Sequence, residues 1–468
     1  MRSGFSLAEV VQATGGVPVG PVPSGSFRRV SIDSRTTEIG DLFVALVGDR
    51  HDGHAFVDDA LRKGARAAMV SGGPPAGAPA IVVKDTGAAL TALAVHRRAA
   101  TSARVVAITG SNGKTSTKDL LARICAAHGS TVASPRSFNN RIGLPLTLLD
   151  LEAETRYCVV ELGTSGPGEI AALADVALPD IGIITQVSRA HLAGLGDVSA
   201  VRREKLSLLG RLSRDGLAII NGDDPRLGGA PALTAARVVT FGCSRNAQCR
   251  AHDISSDLSG TSFLHDGRRV RIPFPGRFHV LNTLAALAAS LELGIDHDLA
   301  VEIVARSKPT SMRFEPVPLG NGITLIDDAY NANPGSVLAA LGELAALVPQ
   351  ERRVAVLGPM RELGPSSRRF HRVIGYRAAC SLDRLIVVGE EEGDAYLEGA
   401  RSARRRRASL HHVIGPDEAA RLVQELVRDG DAILVKASRS VGLDRVCALL
   451  RQELMKGADP MNRLLAAS

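Results

Sequence analysis

From residue 104 onward the chain alternates short apolar runs with longer stretches of helical spacing. Val105-Val106-Ala107-Ile108 is an apolar run ending in Gly and Ser, and a helical pattern follows from Lys114 to about His128. Cys158-Val159-Val160 leads into Glu161, with helical spacing near Glu169 to Ala174. Ile181 to Thr185 and Leu217 to Asn221 are two further apolar runs. Such alternation predicts a mainly parallel sheet with helices on both faces. Residues 237–275 break the rhythm with short runs and turn signals at Cys243 to Asn246, Ser259-Gly260 and Asp266-Gly267, which predicts a small antiparallel patch. Alternation resumes after Pro309. Strands are expected at Ile323 to Ile326, Val354 to Leu357, Leu385 to Val388 and Ala432 to Val435. Helices are expected over about 335–346, 366–379, 416–428 and 442–455.

The first 98 residues are mixed, with strands expected at Asp41 to Val47 and Ile81 to Val83. The loop Ser71-Gly72-Gly73-Pro74-Pro75-Ala76-Gly77 is expected between elements. Boundaries near 98 and 311 divide the chain into 1–98, 99–311 and 312–468. Two α/β units facing each other imply a cleft, where ligands usually sit. No repeat with a period of roughly 20–50 residues is present, which argues against solenoids and propellers.

Composition changes this picture little. The 468 residues are 45% apolar and 22% charged, as in soluble globular chains, and can bury several cores. The run from Val280 to Ile295 is broken by Asn282, Thr283, Ser290 and Glu292, too polar to span a bilayer. No long apolar stretch follows Arg2, so no signal peptide is read and a soluble, cytoplasmic protein without membrane insertion is expected. The six cysteines show no CxxC spacing, which suits reduced thiols. The net charge of +7 raises nucleic acid as a partner, but Arg401, Arg404, Arg405, Arg406 and Arg407 carry most of the excess. Aromatic residues make up only 3% and Trp is absent, so stacking platforms are poorly supplied and no nucleic-acid partner is expected.

The strongest chemical signal is Thr109-Gly110-Ser111-Asn112-Gly113-Lys114-Thr115, placed between a strand and a helix. Glycines let backbone N–H groups turn toward a phosphate, and the helix N-terminus adds its positive end. Lys114 is then placed for β/γ-phosphates and the Thr115 hydroxyl for Mg²⁺. The full phosphate-loop pattern has Gly where Ile108 stands, so this is a shortened variant. Glu161, at the end of a parallel strand, points into the same crevice as such a loop, unless it simply faces solvent. His191 could reach that site or be structural. Lys205, in Arg202-Arg203-Glu204-Lys205, reads from composition as part of a solvated helix face. Farther on come Asn282, Arg313 and the strand-end segment Asp327-Asp328-Ala329-Tyr330-Asn331-Ala332-Asn333-Pro334. That segment suits a ligand loop, although a helix cap at Asn333 explains part of it.

Taken in order, TGSNGKTSTK, SFNNRIGLPLTLL, ELGTSGPGEI, AHLAGLG, DDAYNANP, VLGPMRELG and LVKASRSVGLD resemble the Mur ligases of peptidoglycan synthesis across nearly the whole chain. The resemblance implies an N-terminal UDP-sugar domain, a central P-loop ATPase-like parallel-sheet domain and a C-terminal Rossmann-like domain. DDAYNANP and NNRIGLP favour the branch that uses ATP to join D-alanyl-D-alanine to the terminal carboxylate of UDP-N-acetylmuramoyl-tripeptide, through an acyl phosphate. No DNPR-type motif, typical of the relative that adds the third amino acid, is present.

By position the resemblance implies that the loop from Gly110 through Ser111, Asn112, Gly113, Lys114, Thr115 and Ser116 holds ATP. Asn282 would then meet adenine, Arg313 the phosphates and Asp328 the ribose. Thr115 and Glu161 would hold one Mg²⁺, and His191 with a carbamylated Lys205 a second. Asn139, Asn140, Thr164, Asn331 and Asn333 would contact substrate, and Ser34 and Arg35 the uridine. The enzyme would work as a monomer whose domains close over its substrates. Pro359, Ala437 and Ser116 depart from the residues usual in the family, which are Asp, Gly and Thr. The first two bear on the amine acceptor, so a Mur-type ligase for a different amino acid or dipeptide is the alternative. A silent nucleotide-binding scaffold and a nucleic-acid binder acting through the arginine run are rival classes.

Overall fold

The computed structural model describes residues 4–48, 50–73 and 77–456. Pro74, Pro75 and Ala76 of the expected inter-element loop lie outside the described residues, while Ser71 ends a strand.

The N-terminal unit carries a five-stranded sheet in the order Val17–Val19, Ala80–Val83, Ala67–Ser71, Leu42–Val44, Val30–Ser31, parallel except at the Val17–Val19 edge. Helix Thr86–Ala99, not anticipated from the sequence, leads out of this sheet and packs on helix Gly143–Leu149 of the next unit. Arg98 pins its end there, donating to the carbonyls of Ala177 at 3.0 Å and Leu178 at 2.9 Å. The two units therefore share packed side chains as well as a chain connection.

The central unit is built on a seven-stranded, wholly parallel sheet, ordered Cys249–Arg250, Arg237–Gly242, Leu217–Asn221, Ile181–Ile184, Arg104–Thr109, Tyr157–Glu161, Thr131–Ala133. The inner strands are buried on both faces, which is why they read as unbroken apolar runs. Each fully buried Val or Ile there contributes about 1.5–3 kcal/mol. The first strand, Arg104–Thr109, lies mid-sheet, and the chain later extends the sheet on both of its sides. That makes its C-terminal end a switch point, where crevices open in such sheets.

One expectation is corrected. Residues 237–250 do not join an antiparallel patch but add two parallel strands to the central sheet. Only His252–Asp257, Gly260–His265 and Arg268–Ile272 form the antiparallel sheet. The turns at 243–248 simply return the chain to the same edge. The apolar stretch after residue 276 is the core helix Arg277–Glu292, most of it buried.

The C-terminal unit has a six-stranded sheet ordered Glu315–Gly320, Ile323–Asp327, Ala432–Lys436, Arg353–Leu357, Arg384–Val388, Ser409–Val413. It is parallel beyond its first hairpin. Helices Pro334–Leu347, Ser367–Ser381, Pro416–Leu426 and Asp444–Lys456 fall where expected, and helix Glu391–Arg401 adds to them. All six cysteines are free. Among the described residues no helix is long and apolar enough to cross a membrane.

Candidate active site

The segment Thr109-Gly110-Ser111-Asn112-Gly113 leaves the middle of the central sheet and enters helix Lys114–His128, whose first turn no side chain caps. Its leading N–H groups are the kind that phosphate oxygens satisfy. Two glycines are required by geometry. At Gly113 (φ 84°) a Cβ would stand 2.3 Å from Oδ1 of Asn282, and at Gly110 (φ 148°) 2.0 Å from Oγ1 of Thr185. The loop is held from the neighbouring strand end as well: Ser111 N donates to the Gln186 carbonyl at 2.7 Å and the Thr185 hydroxyl to the Asn112 carbonyl at 2.5 Å. Lys114 Nζ donates to the Gly110 carbonyl at 2.7 Å. Burial pulls the Lys114 ammonium below its ordinary range, with Glu161 opposing the shift and Arg313 adding to it.

Glu161 ends the adjoining strand, 2% exposed. Each of its carboxylate oxygens accepts one short bond: Oε2 from the Thr115 hydroxyl and Oε1 from Asn139 Nδ2, both at 2.7 Å. A strand-end Glu facing solvent is therefore excluded. Lys205 is fully buried in helix Val198–Leu206, contrary to the solvated face expected from its neighbours. Its Nζ has no hydrogen-bond partner among the described residues. Burial first, and then the nearby Lys114, push its pKa well below the usual lysine range, while Glu204, Glu161 and Glu169 oppose this. Glu204 is itself committed, accepting from the N–H groups of Gly168 and Ile170, both at 2.7 Å, and so anchors the loop after Glu161.

The C-terminal unit closes the site from the other side. Asp328 pairs with Lys436 at 2.7 Å, and Lys436 Nζ also donates to the Asn331 carbonyl at 2.9 Å. Burial raises the Asp328 carboxyl and Lys436 pulls it back. The Arg313 guanidinium lies 4.0 Å over the Tyr330 ring, whose hydroxyl meets Oγ of Ser137 at 2.6 Å. Asn333 caps helix Pro334–Leu347 and also donates through Nδ2 to Oδ1 of Asn112 at 2.8 Å, so it serves both the cap and the phosphate loop. His191 and Glu362 both adopt left-handed backbone, φ 56° and 62°, and meet across the two units with Nδ1 2.5 Å from Oε2. Strain of that sort at a site persists only where surrounding contacts enforce it.

These groups surround one cavity of about 610 Å³. Of the residues singled out from the sequence, Ser111, Asn112, Gly113, Lys114, Thr115, Ser116, Asn139, Asn140, Glu161, Thr164, His191, Asn282, Arg313, Asp328, Asn331 and Asn333 line it. Gly110 and Lys205 are not on its wall, and Ser34 and Arg35 belong to the N-terminal unit away from it. Arg35 is paired with Asp33 at 2.7 Å, and the Ser34 carbonyl accepts from Lys63 at 3.0 Å. Among the described residues no cluster of three or more His, Cys, Asp or Glu could hold a metal. A cation here needs substrate oxygens to complete its shell, as Mg²⁺ at phosphate sites does.

Three segments match Mur ligase domains: residues 26–98 the Mur ligase family catalytic domain, 108–290 the Mur ligase middle domain, and 312–439 the Mur ligase glutamate ligase domain. The chain is 36% identical to the UDP-N-acetylmuramoyl-tripeptide–D-alanyl-D-alanine ligase of Mycobacterium tuberculosis, over 95% of this chain and 97% of that one. This chain belongs to the Mur ligase family. The Bacillus subtilis ligase of the same name is 34% identical over 95% of this chain and 97% of its own. A crystal structure of MurF from Acinetobacter baumannii superposes with TM-score 0.87 at 29% identity, covering 96% of this chain and 99% of that chain. MurF ligase from Thermotoga maritima in complex with ADP gives 0.82 at 29%, covering 92% and 99%.

Within this Mur ligase, the unusual Pro359 and Ala437 sit beneath the cavity wall. Neither lines it, whereas Arg361, Glu362 and Ser438 do. The Pro359 carbonyl accepts from Ser438 N at 3.0 Å, and buried Ala437 packs against Gly358. Tyr330, Glu362, Lys436 and His279 are among the cavity residues that were not singled out from the sequence. Tyr330, Glu362 and Lys436 sit inside recognised motifs, and Lys436 also ends an apolar strand, which was an available signal for that residue. His279 carries no such signal, because it lies in an ordinary core helix.

Proposed function

We propose that this Mur ligase uses ATP to join D-alanyl-D-alanine to the terminal carboxylate of UDP-N-acetylmuramoyl-tripeptide in peptidoglycan precursor synthesis. The carrying observation is that Lys114 and Thr115 at the phosphate loop join Glu161 of the adjoining strand end, facing Arg313 and Asp328 of the C-terminal unit across one cavity. The named relatives in Mycobacterium, Bacillus and Acinetobacter support the substrates, and the ADP complex of the Thermotoga relative supports the nucleotide. In this reading residues 1–98 take the uridine end through Ser34 and Arg35, 99–311 bind ATP, and 312–468 receive the dipeptide. The enzyme acts as a cytoplasmic monomer.

The residues fit Mg²⁺. A threonine hydroxyl and a buried carboxylate at a phosphate loop are hard oxygen donors. Thr115 and Glu161 would hold one ion. His191 and a carbamylated Lys205 would hold another. A buried lysine amine without a partner, held below its usual pKa, is the form that adds CO₂ with release of a proton, and the resulting anion would face Lys114. When bound, Mg²⁺ supplies positive charge against the phosphate oxygens.

The chain's own groups perform the rest. Lys114 and the loop N–H groups hold the β/γ-phosphates in line, and Arg313 adds charge from the opposite unit. A tripeptide carboxylate oxygen attacks the γ-phosphorus and the bond to ADP breaks, giving an acyl phosphate. The dipeptide amine attacks the acyl carbon, loses a proton, and phosphate leaves. Asn282 takes the adenine and Asp328 the ribose. Asn139, Asn140, Thr164, Asn331 and Asn333 position the reacting ends, which is worth more than any single bond. Mass spectrometry of the product from a panel of amines tests the reading. The tripeptide extended by D-alanyl-D-alanine is expected. Extension by another amine and not this one would leave a Mur-type ligase for a different acceptor.

A further inference from the structure

Helix Ser367–Ser381 buries His371, Ile374, Gly375, Ala378 and Ala379 against the C-terminal core. Its outward stripe holds Arg369, Arg372, Val373, Tyr376 and Arg377, all exposed. Helix Glu391–Arg401 lies unusually close beside it. A Cβ at Gly375 would stand 1.9 Å from the Tyr396 carbonyl oxygen, and one at Gly399 1.9 Å from that of Arg372. The two backbones therefore meet, and the pair presents a broad platform with a shallow groove of about 510 Å³ lined by Gly399 and Ser402 as well as the stripe.

The arginine run continues this platform. The Arg407 and Ala408 N–H groups donate to the Ala379 carbonyl, which fastens the turn to the end of helix Ser367–Ser381. Arg401 and Arg404 to Arg407 are all exposed. Glu398, which pairs with Arg368 at 3.0 Å and Arg372 at 3.2 Å, is the one carboxylate bonded to any arginine of the platform among the described residues. Arg369, Arg377, Arg401, Arg404, Arg405 and Arg406 make no ion pair among those residues. Positive charge so concentrated and so little neutralised is costly without an anionic partner.

We propose that this platform docks the enzyme on an anionic phospholipid surface. From Arg369 to Arg377 the stripe alone runs about 12 Å, and the arginine run extends it, so it matches an array of phosphates better than one small anion. Guanidinium groups grip phosphate oxygens in pairs. What favours lipid over nucleic acid is the centre of the platform. Val373 and Tyr376, 45% and 41% exposed, stand amid the arginines. A phosphodiester backbone offers Val373 nothing, whereas the boundary between headgroups and acyl chains accepts both side chains. No residue of the platform lines the catalytic cavity, so a docked enzyme keeps its cleft open to soluble substrates.

The test is co-sedimentation of the full chain with phosphatidylglycerol vesicles and with phosphatidylcholine vesicles, at low and high salt. Binding to the anionic vesicles alone, weakened by salt, is expected. Replacing Arg401, Arg404, Arg405 and Arg406 together by Gln should lower the partition coefficient roughly 1,000-fold, at about 1 kcal/mol per basic residue. The double variant Val373→Ser, Tyr376→Ser should lower it several-fold and make what remains more salt-sensitive. Both variants should keep the parent's ligase activity in solution and its melting temperature. Absence of binding to phosphatidylglycerol vesicles overturns the proposal, as does vesicle binding unchanged in the Gln variant. Retention on duplex DNA without vesicle binding assigns the platform to nucleic acid instead.

Discussion

Replacing Glu161 by Gln keeps the side chain's size and removes one charge at the heart of the site. In the parent both carboxylate oxygens accept a bond at 2.7 Å, from Thr115 and Asn139. A bond to a charged acceptor contributes about 1.5–3 kcal/mol and one between neutral groups about 0.5–1.5 kcal/mol. The amide keeps one acceptor oxygen and presents its NH₂ to a hydroxyl or amide that can turn, so folding loses only about 1–3 kcal/mol. The melting temperature should drop by a few degrees. Turnover should fall much further. Losing one preorganised charge-stabilising group costs roughly 100- to 1,000-fold in kcat, and here that group also stands opposite Lys114 and would ligate Mg²⁺. The assay is steady-state phosphate release with all three substrates, alongside a thermal melt. A variant with near-parental melting and kcat within about three-fold of parent would refute the role given to Glu161.

Tyr330→Phe keeps the ring beneath Arg313 but deletes the bond to Ser137 that ties the central and C-terminal units. Titration calorimetry should show ADP binding weakened about five-fold, the equivalent of about 1 kcal/mol, and unchanged affinity would count against that tie. Arg384→Met removes the guanidinium paired at 2.9 Å with fully buried Asp431, leaving that carboxylate the Arg428 N–H at 2.6 Å and the more distant Arg352 at 3.9 Å. Breaking such a pair from one side costs about 3–5 kcal/mol, so chemical unfolding should shift markedly while ADP affinity holds. His279 is buried between Phe274 and Phe278, and burial lowers its pKa from 6.5 to about 3. Below its unfolded pKa the unfolded chain takes up a proton that the folded chain refuses. Stability should therefore fall by up to about 1.4 kcal/mol per pH unit as pH drops from 6.5 toward 3. His279→Phe should flatten that limb in urea melts at neutral and mildly acidic pH, and an unchanged slope would assign the loss elsewhere.

Much of the site was legible because its chemistry is local. The phosphate loop, its strand and its helix are one continuous segment whose glycines have a steric reason, and Glu161 follows from ending the next strand. Lys205 was not legible on residue type alone. Arg202, Arg203, Glu204 and Lys205 look alike in composition, yet the helix buries only the last two, and only their neighbours in space reveal it. Lys436 and Tyr330 need the C-terminal sheet folded against the central one before they face the cavity. In the fold, strand Arg237–Gly242 was misassigned because turn-rich flanks look the same whether the chain reverses beside its neighbour or returns to a parallel edge. Helix Glu391–Arg401 escaped notice because Gly393 and Gly399 weaken its local propensity, and their value lies in close packing: at Gly399 against helix Ser367–Ser381, at Gly393 against His412.

The measurement that tests the ligase chemistry most directly follows oxygen. UDP-N-acetylmuramoyl-tripeptide carrying heavy oxygen in its terminal carboxylate is turned over with ATP and D-alanyl-D-alanine, and the released phosphate is weighed. An acyl phosphate transfers one carboxylate oxygen to each phosphate formed, and that label is the expected result. Phosphate free of label, formed while the peptide product accumulates, would contradict activation of the carboxylate at the Lys114–Thr115–Glu161 site.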